Sequence, residues 1–223
     1  PHAMRELAKA SRDWKTVPRY FAILGDGSFD YRDINGTGYN FVSPQMFGSS
    51  NGIYASDTLL GDLNGDGRPE VAFGRIPVKS VTEGQDYVAK LAAYEAGIGE
   101  LPSLLIADKS DFGGDFRYST YRVQEQVGGD LRNLDLQQTE IDTARAEFDE
   151  ELDAGLRLIN YLGHAGMDRL SGLGPSGLLN NTDVPALDND VTPSFVGLSC
   201  LINNYSIPGF DGLGERLVVD ATN

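Results

Sequence analysis

The sequence predicts an α/β fold built on an open sheet, and three observations lead to this prediction. Apolar runs that are typical of buried strands alternate along the chain with amphipathic stretches typical of helices. Several apolar runs end directly at Gly, Asp or Pro, which are residues that terminate strands. Hydrophobic residues make up 40% of the 223 positions, an ordinary share for a globular protein with a sizeable core.

The first third of the chain contains two predicted strands and one predicted helix. A strand is expected over 19–24, where the apolar run stops at Gly-Asp-Gly. The polar, Gly- and Asn-rich region 30–66 is too long for an ordinary connection, so it should be a functional loop or carry small elements of its own. A second strand is expected over 70–76, stopped by Pro77, and the apolar spacing after it indicates a helix over 80–97.

The rest of the chain continues the alternation. Apolar runs predict strands over 102–107, 156–163 and 194–199, and a more polar strand is expected over 131–139. Helical spacing predicts helices over 118–128, 143–155 and 213–219. A Gly-, Asn- and Asp-rich loop separates the last two strands.

We expect a single domain over residues 5–223, because the sequence has no repeat, low-complexity tract or convincing linker. Residues 1–4 are expected to be an expression remnant ahead of a start at Arg5, so His2 is set aside from the chemistry. No apolar stretch approaches the roughly 20 residues that a membrane-spanning helix needs.

The charge of the chain limits its partners. A net charge of −15, from 33 acidic and 18 basic residues, argues against nucleic acid and against anionic membranes. It suits a soluble extracellular protein, a calcium binder or a protein that acts on basic peptides, or it simply serves solubility. The single cysteine excludes an internal disulfide framework and a cysteine-based zinc site.

That cysteine, Cys200, and the histidine His164 are the candidate catalytic pair. Each directly follows a predicted strand, and the carboxyl ends of parallel strands are where open α/β sheets place their sites. A thiolate is a strong nucleophile, and a nearby imidazole can take the thiol proton. Gly163 and Gly166 permit a sharp turn around the histidine, and backbone N–H groups in such turns can bind an oxyanion. The alternative is that Cys200 is an inert core residue and His164 an ordinary loop residue.

The segment that begins at Asp62 is a candidate metal site. Asp62, Asn64 and Asp66 alternate and a glycine occupies the sixth position, as in the first half of an EF-hand calcium loop. The acidic residue expected at position 12 is absent, because Phe73 stands there. Glu70 at position 9, Asp57 upstream or Asp26 at the end of the first strand could supply the remaining ligands. We expect either a structural calcium ion or a plain Asx-rich turn.

Four stretches of the sequence resemble the gingipain-type cysteine peptidases, which are peptidase family C25 of the caspase-like clan CD. In chain order they are WKTVPRYFAILGDGS at 14–28, GDLNGDGRPEVAFGRIP at 61–77, NYLGH at 160–164, and LSC at 198–200, the last followed by LGERLV at 213–218. The second stretch is the most specific. The order of these stretches along the chain is the order that the family has.

The resemblance implies a caspase-like three-layer α/β/α sandwich with a mostly parallel central sheet, of which this chain lacks the C-terminal part. It implies that Cys200 is the nucleophile and His164 the general base, with backbone N–H groups of Ala165 and Cys200 as the oxyanion hole. Ala165 departs from the family, which usually has glycine there, and this departure puts the oxyanion hole in doubt.

Three acidic residues after the strand 102–107 receive expected roles from the same resemblance. Asp108 occupies a position where the family places an acidic residue, and it would orient His164. Asp111 and Asp115 lie in the region that helps basic-specific gingipains choose the residue before the scissile bond. A carboxylate there favours Arg or Lys by charge pairing.

Two functional classes follow from these observations. The first is a cysteine endopeptidase that acts on a peptide or protein substrate through an acyl-enzyme, with cleavage after Arg or Lys as the default expectation. The second is a catalytically impaired or incomplete domain of the same fold, serving as a structural or secretion-associated module of a surface protein. By resemblance, the protein is expected to be bacterial and extracellular or on the cell surface, with other domains or a C-terminal segment of the same precursor as partners.

Overall fold

A computed structural model of the protein describes residues 1–50, 52–97 and 99–220. The described chain divides into two compact units. The first comprises Pro1–Gly84 with Asn204–Asp211, and the second comprises Gln85–Asn203 with the residues from Gly212 onward. The expectation of a single domain over 5–223 stays a prediction, and the two units are described separately.

The first unit contains only short helices and strands. Its helix α1 is followed by four strands and two short 3₁₀ helices, over His2–Ala10 (α1), Tyr20–Leu24 (β1), Met46–Ser49 (β2), Gly52–Ala55 (β3), Ala72–Ile76 (β4), Ser11–Asp13 and Asp57–Leu60. Strands β1 and β4 are parallel, with Leu24 opposite Ile76, whereas β2 and β3 form an antiparallel hairpin. The region 30–66 therefore does carry small elements of its own.

The core of the first unit is a compact cluster next to this parallel pair. Phe21 and Phe73, at matching positions of β1 and β4, stack with their ring centroids 4.9 Å apart. They pack against the buried residues Ala8, Leu63 and Val71. Helix α1 begins at His2, so residues 2–4 lie within it.

The second unit holds the main sheet. Its elements are Val81–Gly97 (α2, which begins at the end of the first unit), Ser103–Ala107 (β5), Phe116–Gln124 (α3), Leu131–Asp135 (β6), Ile141–Asp153 (α4), Leu158–Leu162 (β7), Arg169–Leu170 (β8), Leu179–Asn180 (β9), Ser194–Leu198 (β10) and Leu213–Val219 (α5), with a short 3₁₀ helix at Val184–Ala186. Four of the strands form a fully parallel sheet in the order β10-β7-β5-β6. The prediction of an α/β fold with a mostly parallel central sheet is confirmed.

The core of this unit lies between the sheet and α4. Phe148 and Leu152 of α4 pack with Ile106, Ile159 and Tyr161 of the sheet in one buried cluster. All five residues of β5 are buried, which is typical of a parallel strand covered on both faces. Helix α3 contacts β5 and β7.

Most predicted boundaries differ from the structure by one or two residues, and two of the differences have a clear local cause. The strand predicted over 131–139 ends at Asp135, because the Asp135 side chain accepts from the N–H of Gln137 and its carbonyl accepts from the N–H of Gln138, which turns the chain. The helix predicted over 118–128 runs from Phe116 to Gln124, and it begins two residues earlier because Asp115 caps its first turn. Among the described residues, no helix is long and apolar enough to cross a membrane.

Candidate active site

The two candidate catalytic residues lie at matching positions beyond two neighbouring strands. Strands β7 and β10 are adjacent and parallel, with Leu162 opposite Leu198. His164 and Cys200 each follow two residues later, so both leave the sheet at the same edge. Neighbouring strands lie roughly 4.8 Å apart. The Ser199 hydroxyl also donates a hydrogen bond of 2.7 Å to the Gly163 carbonyl, which holds the two strand exits together.

The chain turns sharply just after the thiol. Cys200 is a free, exposed cysteine. Its carbonyl accepts a hydrogen bond of 2.7 Å from the N–H of Ile202, and Leu201 between them has a φ of +57°. A left-handed conformation at a leucine is costly and persists only where the surrounding structure enforces it. The turn leaves Cys200 at the tip of the strand rather than within the core.

The His164 imidazole is held by a carboxylate and an aromatic ring. Its Nε2 lies 3.1 Å from Asp111 Oδ2, and the Phe116 ring packs against it edge-on at 5.1 Å. An ionised carboxylate only accepts, so a neutral imidazole in this contact carries its proton on Nε2. The Nδ1 atom is then the basic nitrogen.

Asp111 is presented by a tight turn. Asp111 and Gly114 form an antiparallel bridge, and the N–H of Gly113 donates to Asp111 Oδ1 at 2.7 Å. This N–H, followed by the contact with His164, lowers the pKa of Asp111 from its ordinary value. Asp111 therefore remains ionised at neutral pH and suited to orienting an imidazole.

Asp108 is buried, and it holds the main chain of the histidine. Its carboxylate accepts from the Lys109 N–H at 2.8 Å, the Ser171 hydroxyl at 2.8 Å, the His164 N–H at 3.0 Å and the Tyr161 hydroxyl at 3.0 Å. In the part of the chain that the structure describes, Asp108 makes no hydrogen bond to the imidazole. The carboxylate on the ring is that of Asp111, for which the family resemblance predicts a role in substrate binding.

Asp115, the other residue assigned to substrate binding, is engaged as a helix cap. Its Oδ1 accepts from the N–H of Tyr118 at 2.9 Å and from the Ser110 hydroxyl at 3.3 Å. It thereby satisfies one of the N–H groups that the first turn of α3 leaves unpaired. Both Asp111 and Asp115 are thus occupied by contacts within the protein.

The two backbone donors expected at the oxyanion hole are available. Ala165 faces Leu170 in an isolated antiparallel bridge, and the hydrogen bonds of that bridge are made by its neighbours, so its own N–H points away from Leu170. Over residues 1–50, 52–97 and 99–220, neither the Ala165 N–H nor the Cys200 N–H donates a hydrogen bond. Both are therefore free to donate to another acceptor.

In the first unit, the candidate calcium loop is stabilised by its own side chains. Asp62 accepts from the N–H groups of Gly65 at 2.6 Å and Gly67 at 3.0 Å, and Asn64 Oδ1 accepts from the N–H of Asp66 at 2.8 Å. These are the contacts of an Asx-rich turn.

Glu70 completes the loop from the strand side. Its carboxylate accepts from the Leu63 N–H at 2.8 Å and the Asn64 side-chain amide at 2.6 Å. Among the described residues, no three or more His, Cys, Asp or Glu side chains converge on a point where they could hold a metal. The side chains of the loop are thus engaged with each other and with the main chain, and calcium at the loop stays a prediction.

Comparison with known proteins shows which family the chain belongs to. The profile of peptidase family C25 matches residues 1–223. The chain belongs to peptidase family C25. The resemblance that the sequence motifs indicate is thereby confirmed for the family as a whole. A search of curated proteins found no significant match.

Two solved structures share the fold. One is described as the Arg-specific cysteine proteinase gingipain R (RgpB), with a TM-score of 0.72 at 15% identity, covering 98% of this chain and 49% of that one. The other is described as a complex of the Porphyromonas gingivalis RgpB pro- and mature domains, with a TM-score of 0.69 at 16% identity, covering 98% of this chain and 50% of that one. The chain therefore spans about half the length of these two structures and shares the fold of the part that it covers.

Three residues of this site received no role from the sequence. Tyr161 and Ser171 contact the buried Asp108, and Phe116 packs on the imidazole. Tyr161 lies within the NYLGH stretch, three residues before His164, and this position in the motif could have indicated a role beside the histidine. Ser171 and Phe116 lie outside every motif, and only the tertiary structure brings them to the site.

Proposed function

We propose that this C25 chain carries the nucleophile and base of a cysteine endopeptidase, with Cys200 as nucleophile and His164 as general base. The observation that supports the proposal best is the parallel register of β7 and β10, because it brings the two residues to the same edge of the sheet. The contact of Asp111 with the imidazole and the exposure of the thiol also support it. Family membership makes cysteine peptidase chemistry the expected use of such a pair.

In the first half of the reaction, His164 Nδ1 takes the thiol proton, and Cys200 Sγ attacks the carbonyl carbon of the scissile peptide. The carbonyl π electrons move to oxygen and a tetrahedral oxyanion forms. The imidazolium then gives its proton to the leaving amine as the C–N bond breaks, which leaves a thioester on Cys200. Asp111 stabilises the imidazolium formed in between.

In the second half, His164 removes a proton from a water molecule, and the water oxygen attacks the thioester carbonyl. A second oxyanion forms and collapses, the C–S bond breaks, and the sulfur regains the proton from the imidazolium. Ala165 and Cys200 would donate their free N–H groups to the oxyanion in both halves. The Cβ of Ala165 leaves the backbone N–H of that residue in place, so it does not by itself remove a donor.

Cleavage after Arg or Lys is the more specific part of the proposal. It is supported by the net charge of −15, which attracts basic substrates. Asp111 and Asp115 are engaged by His164 and by the first turn of α3, so a preference for basic residues would require another acidic partner or a rearrangement of these contacts. A substrate panel should therefore include basic, apolar and acidic residues before the scissile bond.

We also propose that the protein acts outside the cell or at the cell surface and is part of a longer precursor. Likeness to gingipains supports both points, and one of the similar structures is a complex of pro- and mature domains of such a peptidase. The expected partners are a peptide or protein substrate and other segments of the same precursor.

Hydrolysis of internally quenched peptides tests the proposed function. Wild-type protein should cleave at least one peptide of the panel, and both Cys200→Ala and His164→Ala should lose the activity. His2→Ala is the matched control, because it removes the other histidine of the chain, which lies in α1. Equal hydrolysis by wild type and Cys200→Ala would assign the activity elsewhere. Absence of hydrolysis in the full precursor as well would favour a non-catalytic module.

A further inference from the structure

A buried polar cluster lies directly beneath the candidate general base. It consists of Asp108, Tyr161 and Ser171, which are 2%, 0% and 1% exposed. We call these three residues the Asp108 cluster. A buried carboxylate is costly unless it is hydrogen-bonded, and Asp108 has four donors. Such a fully satisfied group is rigid.

The Asp108 cluster holds both polar groups of the His164 main chain. The His164 N–H donates to Asp108 Oδ2 at 3.0 Å. The His164 carbonyl accepts from the Ser171 N–H at 2.8 Å and from the Tyr161 hydroxyl at 2.6 Å. The Cα of the histidine is therefore fixed from both sides, whereas Asp111 fixes only the far edge of the ring.

The Tyr161 hydroxyl links the two halves of this arrangement. It lies within hydrogen-bond distance of both Asp108 Oδ2 and the His164 carbonyl, and it has one proton to share between these two acceptors. Burial, followed by the negative charge of Asp108, raises the pKa of Tyr161 well above its ordinary value. The hydroxyl therefore stays a donor over the whole working pH range.

Ser171 binds the other oxygen of the Asp108 carboxylate, and its own backbone is strained. Its φ is +65°, a conformation that is uncommon for a residue other than glycine. Its hydroxyl donates to Asp108 and accepts from the Leu173 N–H at 3.2 Å, so the strained residue is fixed by hydrogen bonds from its side chain as well as its main chain. Strain of this kind is common where a side chain must be held in one place.

We propose that Tyr161 and Ser171 are positioning residues that act through Asp108 and the main chain of His164 to hold the imidazole in line with Cys200. The proposal rests on the proposed function, because it names groups that support the same base. It also assigns Asp108 to the histidine main chain rather than to the ring.

The direct test is Tyr161→Phe, which removes one hydroxyl and keeps the ring that fills the core. A misplacement of about 1 Å in a catalytic group lowers turnover by roughly 100-fold. We therefore expect kcat per active site to fall about 10- to 100-fold while KM stays within about twofold, since the substrate is still bound. Ser171→Ala removes the other hydroxyl and should act in the same direction.

Loss of folded protein must be separated from loss of positioning. The fraction of competent sites is counted by titration with a peptidyl electrophile that labels Cys200, and turnover is expressed per labelled site. Leu152→Ala is the matched control, because it weakens the same core cluster without touching Asp108. It should lower the folded fraction and leave turnover per labelled site unchanged. Unchanged turnover per labelled site in both Tyr161→Phe and Ser171→Ala would overturn the proposal.

A second readout does not depend on hydrolysis. The chain contains two histidines, so ring NMR signals report His164 with His2 as an internal reference. In Tyr161→Phe the His164 ring signals should shift or broaden while those of His2 stay in place. If neither the wild-type chain nor the full precursor hydrolyses a peptide, the proposed function fails, and this NMR comparison still decides the positioning role. Ring signals identical to wild type in both variants would reject it.

Discussion

Gly163, the residue before the candidate base, has no room for a side chain. A Cβ built on Gly163 would lie 2.7 Å from the Tyr161 hydroxyl oxygen and 2.9 Å from Asp108 Cγ, and closer still to Asp108 Cβ. Ordinary carbon contacts are about 3.5–4.0 Å. A substitution to alanine must therefore displace Asp108, Tyr161 or the strand end, and each of these also holds His164.

The substitution Gly163→Ala measures how tightly this region is packed. Overpacking a well-packed interior costs about 1–3 kcal/mol, and here it acts on a carboxylate with four donors. We expect the free energy of unfolding to fall by about 3 kcal/mol, at the upper end of that range, because a displaced Asp108 leaves buried polar groups unpaired. Urea-induced unfolding followed by circular dichroism measures the change.

Gly172→Ala is the matched control for this experiment. Gly172 lies in the same loop region, and a Cβ there would have no heavy atom within 4 Å. Its free energy of unfolding should change by less than about 1 kcal/mol. Equal stability of the two alanine variants would refute the close packing of Gly163 on the Asp108 cluster.

Three further predictions concern other parts of the molecule. Burial raises the pKa of Asp26 from 3.8 to about 6, so the folded protein binds the proton more tightly and stability falls as pH rises through this window. Asp26→Asn should therefore gain up to about 3 kcal/mol relative to wild type between pH 4 and pH 7, and parallel stability curves would contradict this. Asp62→Ala removes the acceptor of two loop N–H groups and should lower the midpoint of thermal unfolding. A midpoint unchanged from wild type would contradict the loop contacts. If added calcium raises the midpoint of wild type and not that of the variant, the calcium prediction is supported. Phe148→Ala empties a fully buried position in the main core and should cost about 3–5 kcal/mol in urea unfolding, whereas a cost below about 1 kcal/mol would contradict its place in the core.

Three strands of the main sheet were predictable because each lies in a short apolar run, although only β5 is fully buried and β10 alternates between exposed and half-buried residues. The runs at 102–107, 156–163 and 194–199 are apolar without alternation, and the structure has β5, β7 and β10 there. The apolar runs at 19–24 and 70–76 likewise contain β1 and β4. Because the ends of these strands could be predicted, the matching positions of Cys200 and His164 beyond two of them could be predicted as well.

Other elements gave no such signal. Helix α1 was not predicted, because residues 1–4 were set aside as an expression remnant, although Met4, Leu7 and Ala8 follow helical spacing. The hairpin of β2 and β3 is mostly exposed. An element that buries little surface leaves little pattern in the sequence.

The division of roles between Asp108 and Asp111 was also beyond the sequence. The two residues are three positions apart, and the resemblance placed the orienting role on Asp108. The tight turn closed by Asp111 and Gly114 carries the Asp111 carboxylate back to the imidazole, while Asp108 stays under the strand ends. Such a turn depends on backbone geometry that spacing alone does not determine.

The rate at which Cys200 is labelled shows whether Cys200 and His164 act together as a catalytic pair. The rate of alkylation by peptidyl chloromethyl ketones and by iodoacetamide would be followed by mass spectrometry in wild type, His164→Ala and His2→Ala. We predict that a peptidyl reagent labels Cys200 in wild type and in His2→Ala at least roughly 100-fold faster than in His164→Ala, with a much smaller difference for iodoacetamide. Slow labelling at the same rate in all three proteins would show that Cys200 and His164 do not act together, and the proposed peptidase site would be wrong.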